Sequence, residues 1–250
     1  MKSTAIVLAA GKGSRMKTDI AKQFLKIKDK PVLYYSLKAF ENSRVDEIIL
    51  VVGEGEKEYC KREIVDMYHI QKVTQIVVGG KERYDSVMRA LEAIVDTDIV
   101  LVHDGARPFI SVELINQLLL ETVQYESCIL AVRAKDTIKI ADEIGFVQQT
   151  PQRNRVYQVQ TPQGFYYKDL VQAYQYLRES LNNENGLDVQ ITDDAMVIEQ
   201  FMNKRVKLVQ GDYTNIKITT PEDLLIADIF LEKRNIKKSE KDVDTNQFLC

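Results

Sequence analysis

Short apolar runs rich in β-branched residues alternate with longer helix-like stretches through residues 1–134. Five runs have the length and composition of strands: Thr4–Ala9, Glu47–Val52, Val73–Val78, Ile99–Asp104 and Cys128–Ala134. Four intervening stretches have helical periodicity: Val32–Glu41, Gly55–His69, Tyr84–Val95 and Val112–Tyr125. This alternation predicts an α/β fold, a single Rossmann-like domain whose mostly parallel twisted sheet is covered by helices on both faces.

The pattern changes after Ala134. Residues 136–160 hold two β-like pieces, Thr137–Ile140 and Val156–Gln160, around a polar middle, which predicts a protruding β-arm. The elements expected next are helices at Lys168–Leu181 and Asp193–Phe201, a strand at Val206–Gln210 and a helix from Pro221 to about Arg234. The chain is charged and aperiodic from Ile236, so we expect one domain over residues 1–235 and a disordered tail over residues 236–250.

Charge and composition argue against several classes of protein. The 250 residues carry a formal net charge of −3, which disfavours broad nucleic-acid or membrane binding. No apolar run reaches transmembrane length, and Gly11 interrupts the apolar start of the chain too early for a secretory signal. The three cysteines have neither metal-ligand spacing nor an obvious disulfide pattern. We therefore expect a cytoplasmic protein that acts on small molecules and binds neither nucleic acid nor a membrane.

A glycine-rich segment follows the first predicted strand, at the edge of the sheet where ligands bind in such folds. Its glycines let main-chain N–H groups approach a phosphate chain closely, and Lys12, Arg15 and Lys22 add positive charge. The segment has neither the glycine spacing of dinucleotide-binding folds nor the Gly-Lys-Ser/Thr ending of a P-loop. It is a candidate triphosphate-binding loop, and an ordinary strand-to-helix turn with solvated lysines is the alternative.

An ordered set of short motifs carries a family resemblance. Residues 9–16 read Ala-Ala-Gly-Lys-Gly-Ser-Arg-Met and precede Lys22-Gln23-Phe24, which is similar to the loop of nucleotidyltransferases that activate sugar and polyol phosphates. Six further motifs occur in family order: Gly79–Ser86, Val102–Pro108, Lys135–Lys139, Gln160–Gln163, Thr192–Ala195 and Asn215–Thr219. Together they resemble the 2-C-methyl-D-erythritol 4-phosphate cytidylyltransferase family over about residues 3–234.

The resemblance implies an enzyme that transfers CMP from CTP to 2-C-methyl-D-erythritol 4-phosphate. Its products would be pyrophosphate and 4-diphosphocytidyl-2-C-methyl-D-erythritol, in the non-mevalonate route to isoprenoid precursors. A phosphate oxygen of the polyol attacks the α-phosphorus of CTP directly and in line, so the protein mainly aligns the reactants and neutralises charge. By resemblance, Arg15, Lys22 and Lys217 supply that catalytic charge. The alternative for Lys22 is an ordinary surface lysine.

The resemblance also implies two groups of binding residues. Those expected to bind CTP are Ala9, Ala10, Gly11, Lys12, Gly13, Ser14, Gly80, Arg83, Ser86, Asp104 and Gly105. Those expected to bind the polyol phosphate are Asp104, Arg107, Thr137, Arg153, Thr161 and Thr192. Mg²⁺ is the implied cofactor, without a certain protein ligand and with Asp104 as a candidate outer-shell contact.

Some of these residues have structural alternatives. Arg107 could instead brace its loop through an ion pair with a core carboxylate, and Ser86 could be an ordinary early-helix residue after a Gly-Gly turn. His103 is expected to be a packed core histidine and not a base. Asp193 and Asp194 could bind a metal, but we favour the interpretation that they start a helix, where negative charge is stabilising.

The predicted arm carries Thr137 and Arg153. By resemblance, the arm crosses to a second subunit, and these two residues contact the polyol phosphate bound there. The site would then be composite, and the protein would be active as a homodimer. A solvated arginine on a polar hairpin is the alternative for Arg153.

Three other functions are weighed against this interpretation. A ribitol 5-phosphate cytidylyltransferase of teichoic acid synthesis shares several motifs, but Thr192–Ala195 and Lys135–Lys139 favour methylerythritol phosphate. A non-catalytic nucleotide-binding regulator would not need to keep the cationic residues of the reaction. A dinucleotide-dependent oxidoreductase is disfavoured by the glycine spacing and by Val52-Gly53 in place of an acidic residue after the second strand.

Overall fold

A seven-stranded sheet forms the centre of the molecule in the computed structural model, which describes residues 1–11, 13, 16, 20–182 and 190–247, with side chains as far as residue 234. Across the sheet the strands are β11 (Lys207–Gln210), β7 (Ser127–Arg133), β10 (Tyr157–Tyr166), β6 (Ile99–Asp104), β1 (Ser3–Ala9), β4 (Glu47–Val52) and β5 (Val73–Val78). Neighbouring strands are parallel except where β10 pairs with β6 and β7. The prediction of a mostly parallel sheet is confirmed.

Helices connect these strands. They are α1 (Val32–Glu41), α2 (Lys57–Cys60) with a π-helical continuation at Lys61–Asp66, α3 (Arg83–Ala93), α4 (Val112–Tyr125), α5 (Tyr167–Leu181), α6 (Asp194–Met202) and α7 (Pro221–Gln247). Two short hairpins are formed by β2 (Lys26–Ile27) with β3 (Lys30–Pro31) and by β8 (Ile140–Ala141) with β9 (Val147–Gln149). Single 3-10 turns lie at Lys22–Phe24 and Arg153–Arg155.

The two faces of the sheet bury separate hydrophobic clusters. Successive side chains of a strand point to opposite faces, and in β6 Leu101 joins the cluster beneath α1 and α4 while Val100 and Val102 join the cluster beneath α3, α5 and α6. Every residue of β6 is buried. Helices therefore cover both faces, which explains why the strand sequences are continuously apolar.

The region after Ala134 differs from its prediction. The piece predicted at Val156–Gln160 is the beginning of the longer antiparallel strand β10, and only Ile140 of the piece predicted at Thr137–Ile140 lies in a strand. Pro162 within β10 made this segment resemble a strand end. The sheet tolerates the proline because the pairing with β7 shifts register between Val159 and Gln163, and prolines within sheets occur at such irregularities.

The last helix also differs from its prediction. The prediction placed its end near Arg234, but the helix extends to Gln247. The added stretch is rich in Lys and Glu, whose high helix propensity accounts for the extension. The division into a domain at residues 1–235 and a tail at residues 236–250 stays a prediction. None of the helices in the described part of the chain combines the length and the apolarity needed to span a bilayer.

Replacing Leu101 tests the packing of the central strand. We expect Leu101→Ala to lower the free energy of unfolding by about 2–5 kcal/mol, since it leaves a cavity under α1 and α4. Leu120→Ala is the control, because Leu120 on α4 is 60% exposed, and it should change the free energy by less than about 0.5 kcal/mol. Urea unfolding measures both. Equal, small effects would contradict the close packing of this face.

Candidate active site

A cleft opens at the carboxyl ends of β1, β5 and β6, where parallel α/β sheets bind ligands. The predicted site residues that line it are Ala9, Ala10, Gly11, Lys22, Gly80, Arg83, Ser86, Asp104 and Lys217. Residues separated by more than two hundred positions in the chain therefore meet at one edge of the sheet. Lys12, Ser14 and Arg15 were also predicted site residues, and they lie outside the described residues.

Asp104, the last residue of β6, is the anion on which three cations converge. Arg83 and Lys217 line the cleft, and Arg107 does not. The ammonium nitrogen of Lys217 lies 2.8 Å from Oδ2 of Asp104. The Nε atoms of Arg83 and Arg107 lie 3.6 Å from Oδ1 and 3.8 Å from Oδ2, respectively. Burial alone would raise the pKa of Asp104, but these three cations outweigh it and hold the pKa of the carboxyl below its ordinary value. The carboxylate is therefore ionised throughout the physiological range.

Arg83 is fixed by a second carboxylate. Its two terminal nitrogens donate to Asp194, from Nη1 to Oδ1 at 2.9 Å and from Nη2 to Oδ2 at 2.6 Å. The hydroxyl of Tyr174 donates to the same Oδ1 at 2.6 Å. Burial lowers the pKa of Arg83, but Asp194 and Asp104 together raise it well above its ordinary value. Planar, bidentate pairing of this kind fixes the orientation of a guanidinium as well as its charge.

Asp193 and Asp194, which the sequence analysis interpreted together, have different roles in the structure. Asp193 is the N-cap of α6, since its Oδ1 accepts from the backbone N–H of Met196 at 2.9 Å, and its Oδ2 accepts from Gln163 at 2.9 Å. The helix-start interpretation is confirmed for Asp193. Asp194 is the first residue of α6, so it too lies at the helix start, and it is fully buried in the ion pair with Arg83. Within the described residues, no cluster of three or more His, Cys, Asp or Glu side chains is suited to holding a metal ion.

Arg107 and Lys217 are connected through the segment that follows β11. Arg107 Nη1 donates to the backbone carbonyl of Asn215 at 2.8 Å, and the buried Asn215 side chain donates to the carbonyl of Thr161 at 2.9 Å. The backbone N–H of Ile218 donates to the carbonyl of Ala106 at 2.8 Å. Hydrogen bonds at Asn215 and Ile218 thus fix the segment on both sides of Lys217. Arg107 therefore braces its loop, which was the alternative role given for it in the sequence analysis, and it also contacts Asp104.

Thr161 lies behind Asp104 and not among the residues that line the cleft. Its Oγ1 accepts the backbone N–H of Asp104 at 3.0 Å and lies 3.1 Å from Nδ1 of His103. Burial is the main cause that lowers the pKa of His103 to about 3, so the imidazole is neutral at physiological pH. His103 also packs against the ring of Phe40, with 5.1 Å between ring centroids. These contacts agree with the expectation of a packed core histidine.

The segment between β5 and α3 forms another wall of the cleft. The Oγ of Ser86 accepts the backbone N–H of Gly80 at 3.1 Å and donates to the carbonyl of Glu82 at 3.2 Å. Glu82 and Asp85 form a capping box at the start of α3. A Cβ atom at position 80 would lie 2.1 Å from Cβ of Asp85, so only glycine fits there. The main chain at Gly80 is consequently close to the helix start and faces the cleft.

Several predicted residues do not line the cleft. Gly13 lies against the stem of Lys22, Gly105 supports the loop after β6, and Thr192 is exposed before α6. Thr137 is exposed in the arm, and Arg153 there donates from Nη1 to the carbonyl of Lys135 at 3.4 Å. Within a single chain the arm residues are thus outside the cleft.

Three residues that hold this site together were absent from the predicted set: Gln23, Tyr174 and Asn215. Gln23 and Asn215 lie inside the family motifs, and this was the available signal for them. Tyr174 lies on the buried face of α5. A buried tyrosine hydroxyl needs a hydrogen-bond partner, but nothing in the local sequence identifies that partner as Asp194.

Substitutions at the two aspartates test the different assignments. Asp193→Ala should cost about 1 kcal/mol of stability through loss of the helix cap, whereas Asp193→Asn should cost a few tenths because it keeps the cap. Asp194→Asn should cost at least about 2 kcal/mol, because it leaves the partly buried Arg83 without its main counter-charge. Urea unfolding of the three variants measures this order. An Asp194→Asn protein as stable as Asp193→Asn would contradict the ion-pair assignment.

Comparison with known proteins agrees with this architecture. The family model described as 2-C-methyl-D-erythritol 4-phosphate cytidylyltransferase (IspD) matches residues 3–233. Proteins of that name from Lachnoclostridium phytofermentans and Lachnospira eligens are 53% and 48% identical to this chain, over 93% and 92% of it and 97% and 99% of their own lengths.

Solved structures give the same result. The 4-diphosphocytidyl-2C-methyl-D-erythritol synthase from Anaerococcus prevotii is 33% identical, with a TM-score of 0.80 over 92% of this chain and 96% of its own. The 2-C-methyl-D-erythritol 4-phosphate cytidylyltransferase from Thermus thermophilus is 28% identical, with a TM-score of 0.72 over 92% of this chain and 98% of its own. With its fold, its cleft and its motifs in agreement with these proteins, the chain belongs to the 2-C-methyl-D-erythritol 4-phosphate cytidylyltransferase family.

Proposed function

We propose that this protein transfers CMP from CTP to 2-C-methyl-D-erythritol 4-phosphate and releases pyrophosphate. The observation that carries this proposal is the cluster of Arg83, Arg107 and Lys217 around Asp104, in a cleft that Lys22 also lines. Such a concentration of cations beside a glycine-rich bend suits a reaction between two phosphate-bearing reactants. Family membership supports the identity of both substrates.

The proposed step is a single in-line displacement. An oxygen of the polyol phosphate forms a bond to the α-phosphorus of CTP, while the bond from that phosphorus to the bridging oxygen of the β-phosphate breaks. Pyrophosphate leaves with the electron pair of that bond. The attacking phosphate is already ionised, so no general base is needed, and the neutral His103 is consistent with this. Arg15, Lys22 and Lys217 would stabilise the charge that develops around the α-phosphorus.

The nucleotide would occupy the part of the cleft between the bend and the start of α3. The main chain of Ala9, Ala10 and Gly11 lies beside the cleft and would hold the triphosphate, together with residues 12–14. Gly80, Arg83 and Ser86 would face the base. The hydrogen bond from the Gly80 N–H to Ser86 Oγ would help to hold the main chain at this wall. Family membership supports a pyrimidine as the base beside it.

The polyol phosphate would lie on the Asp104 side. The ionised Asp104 can accept hydrogen bonds from polyol hydroxyls, and Arg107 and Lys217 can hold phosphate oxygens. Gly105 keeps the backbone close at this point, and Thr192, which is exposed before α6, would add a hydroxyl contact from the edge of the cleft. The buried hydroxyl of Thr161 already accepts the backbone N–H of Asp104 and lies beside His103, so Thr161 would act by holding Asp104 in place.

Mg²⁺ fits this site as an ion held mainly by the CTP phosphates. Asp104 is an ionised oxygen donor in the cleft, but its Oδ2 is already 2.8 Å from Lys217, so it would contact the ion through a bound water. Mg²⁺ commonly keeps several waters and uses few protein carboxylates. When bound, the ion would neutralise phosphate charge and make the α-phosphorus more electrophilic.

We further propose that the site is completed by a second subunit. The arm, which lies between β7 and β10, leaves large apolar side chains in solvent, with Ile144 80%, Phe146 70% and Val147 59% exposed. Exposed apolar groups clustered on one protruding element are typical of an interaction surface. Dimerisation through this arm would cover them and could carry Thr137 and Arg153 to the polyol phosphate of the partner.

A cytoplasmic location is proposed from the cysteines. Cys60 and Cys128 are buried free thiols. Burial raises the pKa of Cys60 to about 12 and that of Cys128 to about 11, so both stay protonated and unreactive. Free thiols of this kind are usual in a reducing compartment.

The substrate assignment is tested by pyrophosphate release. Purified protein with CTP and Mg²⁺ should release pyrophosphate rapidly with 2-C-methyl-D-erythritol 4-phosphate and at least about 100-fold more slowly, in kcat/KM, with ribitol 5-phosphate. ATP in place of CTP serves as the control for base selection. Faster release with ribitol 5-phosphate would overturn the assignment, and release with neither polyol would argue for a non-catalytic protein.

The composite site is tested by mixing two defective chains. Arg153→Ala should raise the KM for the polyol phosphate and leave CTP affinity unchanged, and Lys217→Ala should lower kcat. The assay uses polyol phosphate far below the wild-type KM, where both parent variants are nearly inactive. When the two variants are co-expressed and dimers form at random, half of the dimers hold one intact site of two, so activity should recover to about one quarter of wild type. Activity that stays at the mean of the two parent variants would show that Arg153 does not act across the dimer.

A further inference from the structure

Gln23 occupies a buried position beside a proposed catalytic residue. It lies in the 3-10 turn Lys22–Phe24, and its side chain is only 2% exposed. Its amide nitrogen, Nε2, donates to the backbone carbonyl of Ala9 at 2.6 Å. Ala9 is the last residue of β1 and leads directly into the glycine-rich bend. One side chain thus ties the turn that carries Lys22 to the strand end that begins the bend.

Two further contacts hold the same turn. The ring of Phe24 meets the ring of Tyr59 edge-to-face, with 5.0 Å between centroids. On the other side, a Cβ atom at Gly13 would lie 3.2 Å from Cβ and Cγ of Lys22, so the stem of Lys22 runs directly against the bend. The turn is therefore anchored by an aromatic contact and a hydrogen bond, and Lys22 leaves it along the bend.

The Gln23 bond lies beside the cleft, since both Gln23 and Ala9 line it. A buried carbonyl that loses its donor costs free energy, so the bond resists displacement. The amide is neutral and adds no charge to the cleft, in contrast to Lys22 and Lys217. What it controls is position, namely how far the Lys22 stem sits from the main chain of the bend. Catalysis by a charge depends steeply on such placement.

We propose that Gln23 is the positioning residue for Lys22: its hydrogen bond to the Ala9 carbonyl aligns the Lys22 ammonium with the α-phosphorus in the transition state. This inference depends on the proposed cytidylyl transfer. Gln23 also lines the cleft, but it is only 2% exposed and its amide nitrogen is bound to the Ala9 carbonyl. Its proposed role is therefore exerted through Lys22 and not through a contact of its own with CTP.

Gln23→Met is the informative substitution, because methionine keeps the approximate volume but cannot donate. We expect kcat to fall about 100-fold, as for a misplacement of about 1 Å. The dissociation constant for a non-hydrolysable CTP analogue should change less than about threefold, because only the transition-state interaction is lost. In a Lys22→Ala background, Gln23→Met should lower kcat less than about twofold further, because residues that act as one unit are not additive.

Gln75 provides a matched control elsewhere on the sheet. Its Nε2 donates to the carbonyl of Ala93 at 2.8 Å, so Gln75→Met removes the same kind of bond away from the cleft. Gln75→Met should leave kcat within about twofold of wild type. Thermal unfolding of all variants shows whether they are folded at the assay temperature, and Gln23→Asn, which stays polar but is one methylene too short, replaces Gln23→Met if that variant is not.

Each other result overturns the inference. An unchanged kcat would show that the bond does not matter, and an equal loss in both Lys22 backgrounds would show that Gln23 acts independently of Lys22. Weaker binding of the CTP analogue that accounts for the whole loss would make Gln23 a substrate contact. If wild-type protein released no pyrophosphate, the proposed function would fail instead, and the two failures are therefore distinguishable.

Discussion

The buried carboxylate of Asp104 organises the cleft at the carboxyl ends of the strands. Ending a fully buried strand with a negative charge is costly unless cations compensate it. Here Arg107 does so from the loop that continues β6, and Arg83 and Lys217 do so from segments distant in the chain. The loops that carry them must approach the end of β6 to make these contacts. The carboxylate thus explains why segments distant in sequence form one cleft, and why that cleft is rich in positive charge although the chain is slightly acidic.

Further residues hold the cations around Asp104 in position. Asp194, which accepts a hydrogen bond from Tyr174, holds the guanidinium of Arg83, and Asn215 links Arg107 to the segment that carries Lys217. Supports of this kind keep charged groups in place before substrate arrives, so little reorganisation is needed when charge develops on phosphorus. The protein contributes alignment and electrostatics, which is what direct phosphoryl-type transfer requires.

The features of the fold that depend on residues close together in the chain could be predicted from the sequence. Continuously apolar runs identified the parallel strands, and motif order identified most of the cleft, because the family motifs lie at strand ends. Contacts between distant residues were not predictable in this way: Arg83 and Asp194 are 111 residues apart, and neither neighbourhood indicates the other. The full extent of β10 was missed because Pro162 imitates a strand end. Thr137 and Arg153 were predicted as site residues but lie outside the cleft of their own chain.

A crystal structure with CTP bound tests the account most directly. The triphosphate should lie along the bend at residues 9–13, with Lys22 and Lys217 within hydrogen-bonding distance of its oxygens, the cytosine beside Gly80 and Ser86, and the Lys217–Asp104 ion pair at the edge of the same cleft. CTP bound elsewhere on the protein, with the bend and Lys217 making no contact with it, would contradict the account.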